Sequence, residues 1–112
     1  MTLTVTSQTE TRLRRQELLD TYGELLTARQ QEALRLQLEE DWSISELAES
    51  MAVSRAAAHD LVRRGMLRME VWESKLGICR HLREVERERQ DLEARVRQLE
   101  EMLAAGGHGS LV

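Results

Sequence analysis

Four arginines and a histidine, Arg55, His59, Arg63, Arg64 and Arg68, follow one another at steps of four, four, one and four. Guanidinium groups bind phosphate oxygens, and in bidentate fashion the O6/N7 edge of guanine. The chemistry such a run offers is contact with nucleic acid. Arg55 could take a guanine edge or a phosphate, His59 either, and Arg63, Arg64 and Arg68 phosphates. The residues between them add little. Ala56 can touch only a thymine methyl, Asp60 repels phosphates, and no Asn or Gln stands by to read adenine. The same arginines also read as a solvated helix face. No other constellation competes. Cys79 and His81 are two apart and on a helix point in different directions, and His59 and His108 have no partner nearby, so no metal or other cofactor is expected. Gly106, Gly107 and Gly109 follow a helix with no strand before it, which is not a phosphate loop. Glu84–Arg87 and Glu93–Arg97 have the spacing of surface ion pairs, and nothing suggests an enzyme.

Presenting Arg55 to a groove requires a bent pair of helices. Ser43-Ile44-Ser45-Glu46 has the capping-box pattern, in which hydroxyl and carboxylate satisfy each other's free N–H groups. It opens a helix with Ile44, Leu47, Ala48 and Met51 on one side. Ser54 then caps a second helix beginning at Arg55, with Ala58, Leu61 and Val62 inward. Ala48 is the small residue at the crossing, and Leu47, Val53, Ala58 and Leu61 fill the wedge. This is helix-turn-helix spacing. The turn residue, for which a left-handed conformation favours Gly, is Ala52.

Two more helices precede the corner. Ser7-Gln8-Thr9-Glu10 and Thr27-Ala28-Arg29-Gln30 are further capping boxes. The first helix is expected to reach about Leu26 with an apolar stripe of Leu18, Leu19, Tyr22, Leu25 and Leu26. The second runs to about Glu40 and buries Ala33, Leu34 and Leu38, with Asp41-Trp42 as the break. After the corner, Gly65 marks a kink, a close contact or a helix end. From there a helical pattern continues to about Leu103, about 57 Å at 1.5 Å per residue. The expected organisation is a frayed segment 1–8, a helix-turn-helix domain 9–65, a long helix 66–103 and a disordered tail 104–112.

The long helix carries a heptad seam. Ile78, Leu82, Val85, Arg89, Leu92, Val96, Leu99 and Leu103 alternate steps of four and three. In a parallel homodimer Glu88 would meet Glu93 of the partner, Arg95 would meet Glu100, and Arg89 would face its own copy. An antiparallel pairing, or packing on the chain's own first helix, relieves that clash. Self-association is the reading favoured by a seam too long for a 112-residue chain to cover.

Composition sets the outer bounds. Aromatics are 3%, with no Phe, so the core is built from Leu, Met, Val, Ile and Ala; the chain has no Pro. The fold class expected is all-α. Net charge is −4, which argues against tight non-specific nucleic-acid binding, but the balance is −3 over 1–42, +1 over 43–81 and −2 over 82–112. The least acidic part holds the corner. No signal peptide or 18-residue apolar run is visible, so no membrane span and a cytoplasmic location are expected.

The stretch from Leu18 to Leu76 resembles the YlxM family of small bacterial proteins. The resemblance rests on Tyr22 with Leu25-Leu26-Thr27, the Arg29-Gln30 pair, Asp41-Trp42, the run Ser43–Val53 and Ser54-Arg55. The helix-turn-helix part is also similar to region four of bacterial sigma factors. The resemblance implies an all-helical, DNA-binding regulatory protein. It also implies a role in the signal recognition particle pathway, since genes of this family tend to lie beside that of its GTPase. The alternative it leaves is an accessory protein that binds that GTPase or its RNA through helical surfaces. Ala52, and Ala56 to Ala58, depart from the family pattern.

Overall fold

A computed structural model describes the backbone of residues 2–110 and the side chains of residues 10–106. Its elements are α1 (Thr2–Tyr22), a 3-10 turn (Gly23–Leu25), α2 (Ala28–Leu38), α3 (Ile44–Met51), α4 (Arg55–Leu76) and α5 (Ile78–Ser110). No strand occurs among the described residues, and the fold is all-α as the composition demands. The chain divides into two units, Met1–Cys79 and Arg80–Val112.

In the first unit, α4 packs against α1, α2 and α3. Leu18, Leu19, Tyr22, Ala33, Leu34, Leu47, Ala58, Met69 and Cys79 are buried in one cluster. Burying each Leu of that set contributes about 1.5–3 kcal/mol. Ile44, Val53, Leu61, Met66 and Trp72 pack at its margin.

The caps are where the sequence puts them. Thr27 accepts from the Gln30 N–H at 3.2 Å, and the Gln30 side chain accepts from the Thr27 N–H at 3.3 Å. Ser43 and Glu46 do the same at 3.2 and 3.1 Å. Ser54 accepts from the Ala57 N–H at 3.0 Å. The box expected at Ser7 opens nothing, since helical backbone already runs from Thr2; the side chains of Ser7 and Thr9 lie outside the described residues. Leu25 leaves the apolar stripe and is 60% exposed. The helix tightens to 3-10 geometry after Tyr22, and the larger rotation per residue swings Leu25 outward.

Gly65 does not break the long helix. α4 passes through it and ends at Leu76, where Gly77 takes φ 62°. A Cβ at Gly65 would sit 2.7 Å from Leu34 Cδ1, so this glycine is a close crossing of α2 and α4. The expected 66–103 helix is therefore two helices, divided at Gly77. The second reaches Ser110, past the expected end at Leu103 and through most of the tail; Leu111 and Val112 lie outside the described residues.

The junction at Gly77 is held by buried polar groups. Tyr22 Oη donates to Glu73 Oε1 at 2.6 Å, and the Cys79 N–H donates to the same oxygen at 2.9 Å. The Ile78 N–H donates to Tyr22 Oη at 3.3 Å. Two of the unpaired N–H groups that open α5 are thus satisfied by side chains from α1 and α4, with the acidic group at the positive end of the helix dipole.

Candidate nucleic-acid interface

The corner is built by local hydrogen bonds. At the end of α3, Ala52 takes φ 57°, ψ 45°, the left-handed region. The Ala52 N–H donates to Glu49 O at 3.2 Å and the Val53 N–H to Ala48 O at 3.0 Å. These are the two bonds of the Schellman closure, which satisfies the last carbonyls of a helix. The next residue, Ser54, already caps α4, so three residues turn the chain from one helix into the other. Arg29 of α2 reaches across to Met51 O at 3.4 Å, bonding the end of α3 from outside. That contact gives the Arg29-Gln30 pair a physical role: Gln30 closes its own helix start while Arg29 steadies the corner.

The corner exposes the N-terminal half of α4. Arg55, Ala56, His59, Arg63, Arg64 and Arg68 are all exposed. They do not form one surface. At 100° per residue Arg55, His59 and Arg63 fall within a quarter turn, whereas Arg64 and Arg68 lie about half a turn from Arg55. The five residues expected to act together are split between opposite sides of the helix. Arg68 further lies about 20 Å along the axis from Arg55, and its guanidinium stacks 5.4 Å from the Trp72 ring centroid.

Asp60 lies between the two groups. It accepts from Arg63 Nη2 at 2.9 Å and pairs with Arg64 Nε at 2.8 Å. These bonds, Arg63 first, hold the Asp60 carboxyl below its ordinary range, so it is charged near neutrality. Exposed pairs of this kind contribute little to stability. Their effect is on charge: one carboxylate sits between Arg63 and Arg64 and offsets part of their charge. The spacings of three and four from Asp60 are the signal in the sequence that reveals this pairing. Nothing in the sequence reveals the Arg29 contact, which spans 22 residues.

No group of three His, Cys, Asp or Glu able to hold a metal occurs among the described residues. Among the described residues no helix is long and apolar enough to cross a membrane. Cys79 is buried, donating to Thr21 Oγ1 at 3.2 Å, and burial pushes its thiol pKa up.

A family model described as "Putative helix-turn-helix protein, YlxM / p13 like" matches residues 9–105. Curated relatives named UPF0122 protein are similar to the chain. That of Symbiobacterium thermophilum is 45% identical over 67 residues, 59% of this chain and 63% of its own length. That of Acetivibrio thermocellus is 46% identical over 61 residues, 54% and 52% of the two chains. That of Geobacillus kaustophilus is 40% identical over 84 residues, 75% and 74%. The chain therefore spans less than two thirds of the length of the first two relatives it matches.

Proposed function

The chain belongs to the YlxM / p13-like helix-turn-helix family, and from that premise we propose that it binds duplex DNA by laying the N-terminal half of α4 in the major groove. The observation that carries the reading is the corner itself: a capped, left-handed three-residue turn that leaves Arg55 exposed at the first position of α4. In this docking the start of the second helix meets base edges. Arg55 takes a guanine edge or a phosphate, His59 a base or a phosphate, and Arg63 a phosphate. Arg64 and Arg68 face away from that contact. Ala56 and Ala57 leave little to read bases with, so binding is dominated by phosphates and weakly selective for sequence.

Anisotropy of a labelled duplex, titrated at several salt concentrations, tests this. The logarithm of the binding constant should fall with that of salt by about 0.9 for each phosphate engaged. Arg55→Ala should weaken binding and reduce that slope by about 1. Arg68→Ala should leave both nearly unchanged. Binding that ignores salt, or an Arg68 effect equal to that of Arg55, defeats the reading.

A second reading is favoured by Asp60, which offsets the charge of the outward arginines. It is an accessory protein that keeps the helix-turn-helix shape and docks on the signal recognition particle GTPase or its RNA. Salt-insensitive DNA binding together with retention on the immobilised GTPase supports it.

A further inference from the structure

We propose that α5 pairs antiparallel with α5 of a second copy, about a twofold axis between Gln90 and Asp91, so that Arg89 of each copy packs on Leu92 of the other. The seam needs a cover. Leu82, Val85, Leu92, Val96, Leu99 and Leu103 lie on one stripe of the helix and are between 46 and 73% exposed. A strip of apolar residues repeating by heptads buries itself against another helix.

What the seam best fits is itself, reversed. In the register where paired residue numbers sum to 181, Ile78 meets the partner's Leu103, Leu82 its Leu99, Val85 its Val96 and Arg89 its Leu92. Every seam residue is then matched. Sliding by one heptad leaves two of the eight seam residues of each helix unmatched. In the parallel arrangement, by contrast, the two Arg89 side chains stand directly opposite one another.

Arg89 is already arranged for the antiparallel case. Its guanidinium bonds Glu86 through Nε and Nη2 and Glu93 through Nη1 at 2.6 Å. Both carboxylates lie on the same edge of the seam, so the charge is drawn to that edge while the alkyl stem stays over the apolar strip, where Leu92 of the partner can cover it. On the other edge, antiparallel pairing sets Glu88 beside the partner's Arg95, an attractive pair made twice. Parallel pairing sets Glu88 beside the partner's Glu93 and Arg95 beside its Glu100, so each arrangement makes one repulsive and one attractive edge pair, and what separates them is the placement of Arg89. The like-charge contact that the antiparallel register does make, Glu86 with the partner's Glu93, is one in which each carboxylate is already bonded to an Arg89.

Spin labels on the full-length protein decide the matter. Ala94→Cys and Glu101→Cys, in separate proteins, both lie on the outer face of α5, away from the seam. Cys79 is buried, and the unsubstituted chain serves as the labelling blank. In the antiparallel register the two copies of residue 94 are offset along the axis by about 10 Å and those of residue 101 by about 32 Å. Pulsed dipolar spectroscopy should therefore return a clearly longer distance at 101 than at 94. Leu92→Lys should remove the dipolar signal at both sites. Equal short distances at both sites mean a parallel pair and overturn the proposal. A monomer with no dipolar signal, whose seam is then covered by some other protein, overturns it as well.

Discussion

Replacing Ala52 by Gly should stabilise the protein by about 1 kcal/mol, although it removes a methyl group and no contact is gained. Ala52 sits at φ 57°, ψ 45°. A side chain with a Cβ costs roughly 1–2 kcal/mol there, because Cβ crowds the following carbonyl. Glycine avoids that cost but loses about 0.4–1 kcal/mol more backbone entropy on folding. The difference leaves a gain of about 1 kcal/mol. In a unit of this size that corresponds to a rise in melting temperature of roughly 4–8 °C. Urea denaturation followed by tryptophan fluorescence reads it directly, since Trp42 and Trp72 are both half-buried in the same unit as the corner. The midpoint should rise with an unchanged slope. Ala56→Gly is the internal contrast. It lies exposed on α4 in right-handed backbone and should cost about 1 kcal/mol. A midpoint for Ala52→Gly at or below that of the parent would mean that the chain does not turn through left-handed backbone in solution. The helix-turn-helix corner would then lose its geometric basis.

Tyr22→Phe should destabilise by about 1–3 kcal/mol in the same assay, because it strips a donor from the buried Glu73 carboxyl and an acceptor from the Ile78 N–H. An effect below a few tenths of a kcal/mol would refute the role given to this network. Burial and the bond to Glu73 raise the Tyr22 pKa, so the fold favours the neutral phenol. That contribution is complete below the unfolded value of 10.0 and is lost as pH rises through the folded one. Stability measured against alkaline pH should therefore fall less steeply in Tyr22→Phe than in the parent. Cys79, buried and with its thiol pushed up, should react with a thiol reagent at pH 8 only as fast as the protein unfolds; rapid labelling of the native chain contradicts the burial. Asp60→Asn should release Arg63 and tighten duplex DNA several-fold, with a salt slope steeper by about 1; unchanged affinity would show that Arg63 does not face DNA.

What could be read along the chain was whatever bonds locally. The boxes at Thr27 and Ser43 and the cap at Ser54 join groups three residues apart, and each forms as the spacing requires. The left-handed turn at Ala52 was legible despite the missing Gly, because the flanking caps leave only three residues to reverse the chain. With the apolar stripes, these were enough to define the all-α class and the corner. What the tertiary structure decided depends on partners far off in sequence. Gly65 reads equally as a kink, a close contact or a helix end until Leu34, 31 residues earlier, is packed against it, and the break falls at Gly77. Tyr22 reads as a stripe residue, yet its hydroxyl helps open α5 together with a glutamate 51 residues away. The cationic run read as a single surface only while its helix had no fixed phase. Once α4 is continuous from Arg55 to Leu76, its own periodicity turns Arg64 and Arg68 from the face that Arg55 presents. Local hydrogen bonds and helix phase are written in short spacings, whereas the role of a glycine or a buried tyrosine is fixed only by what the folded chain brings against it.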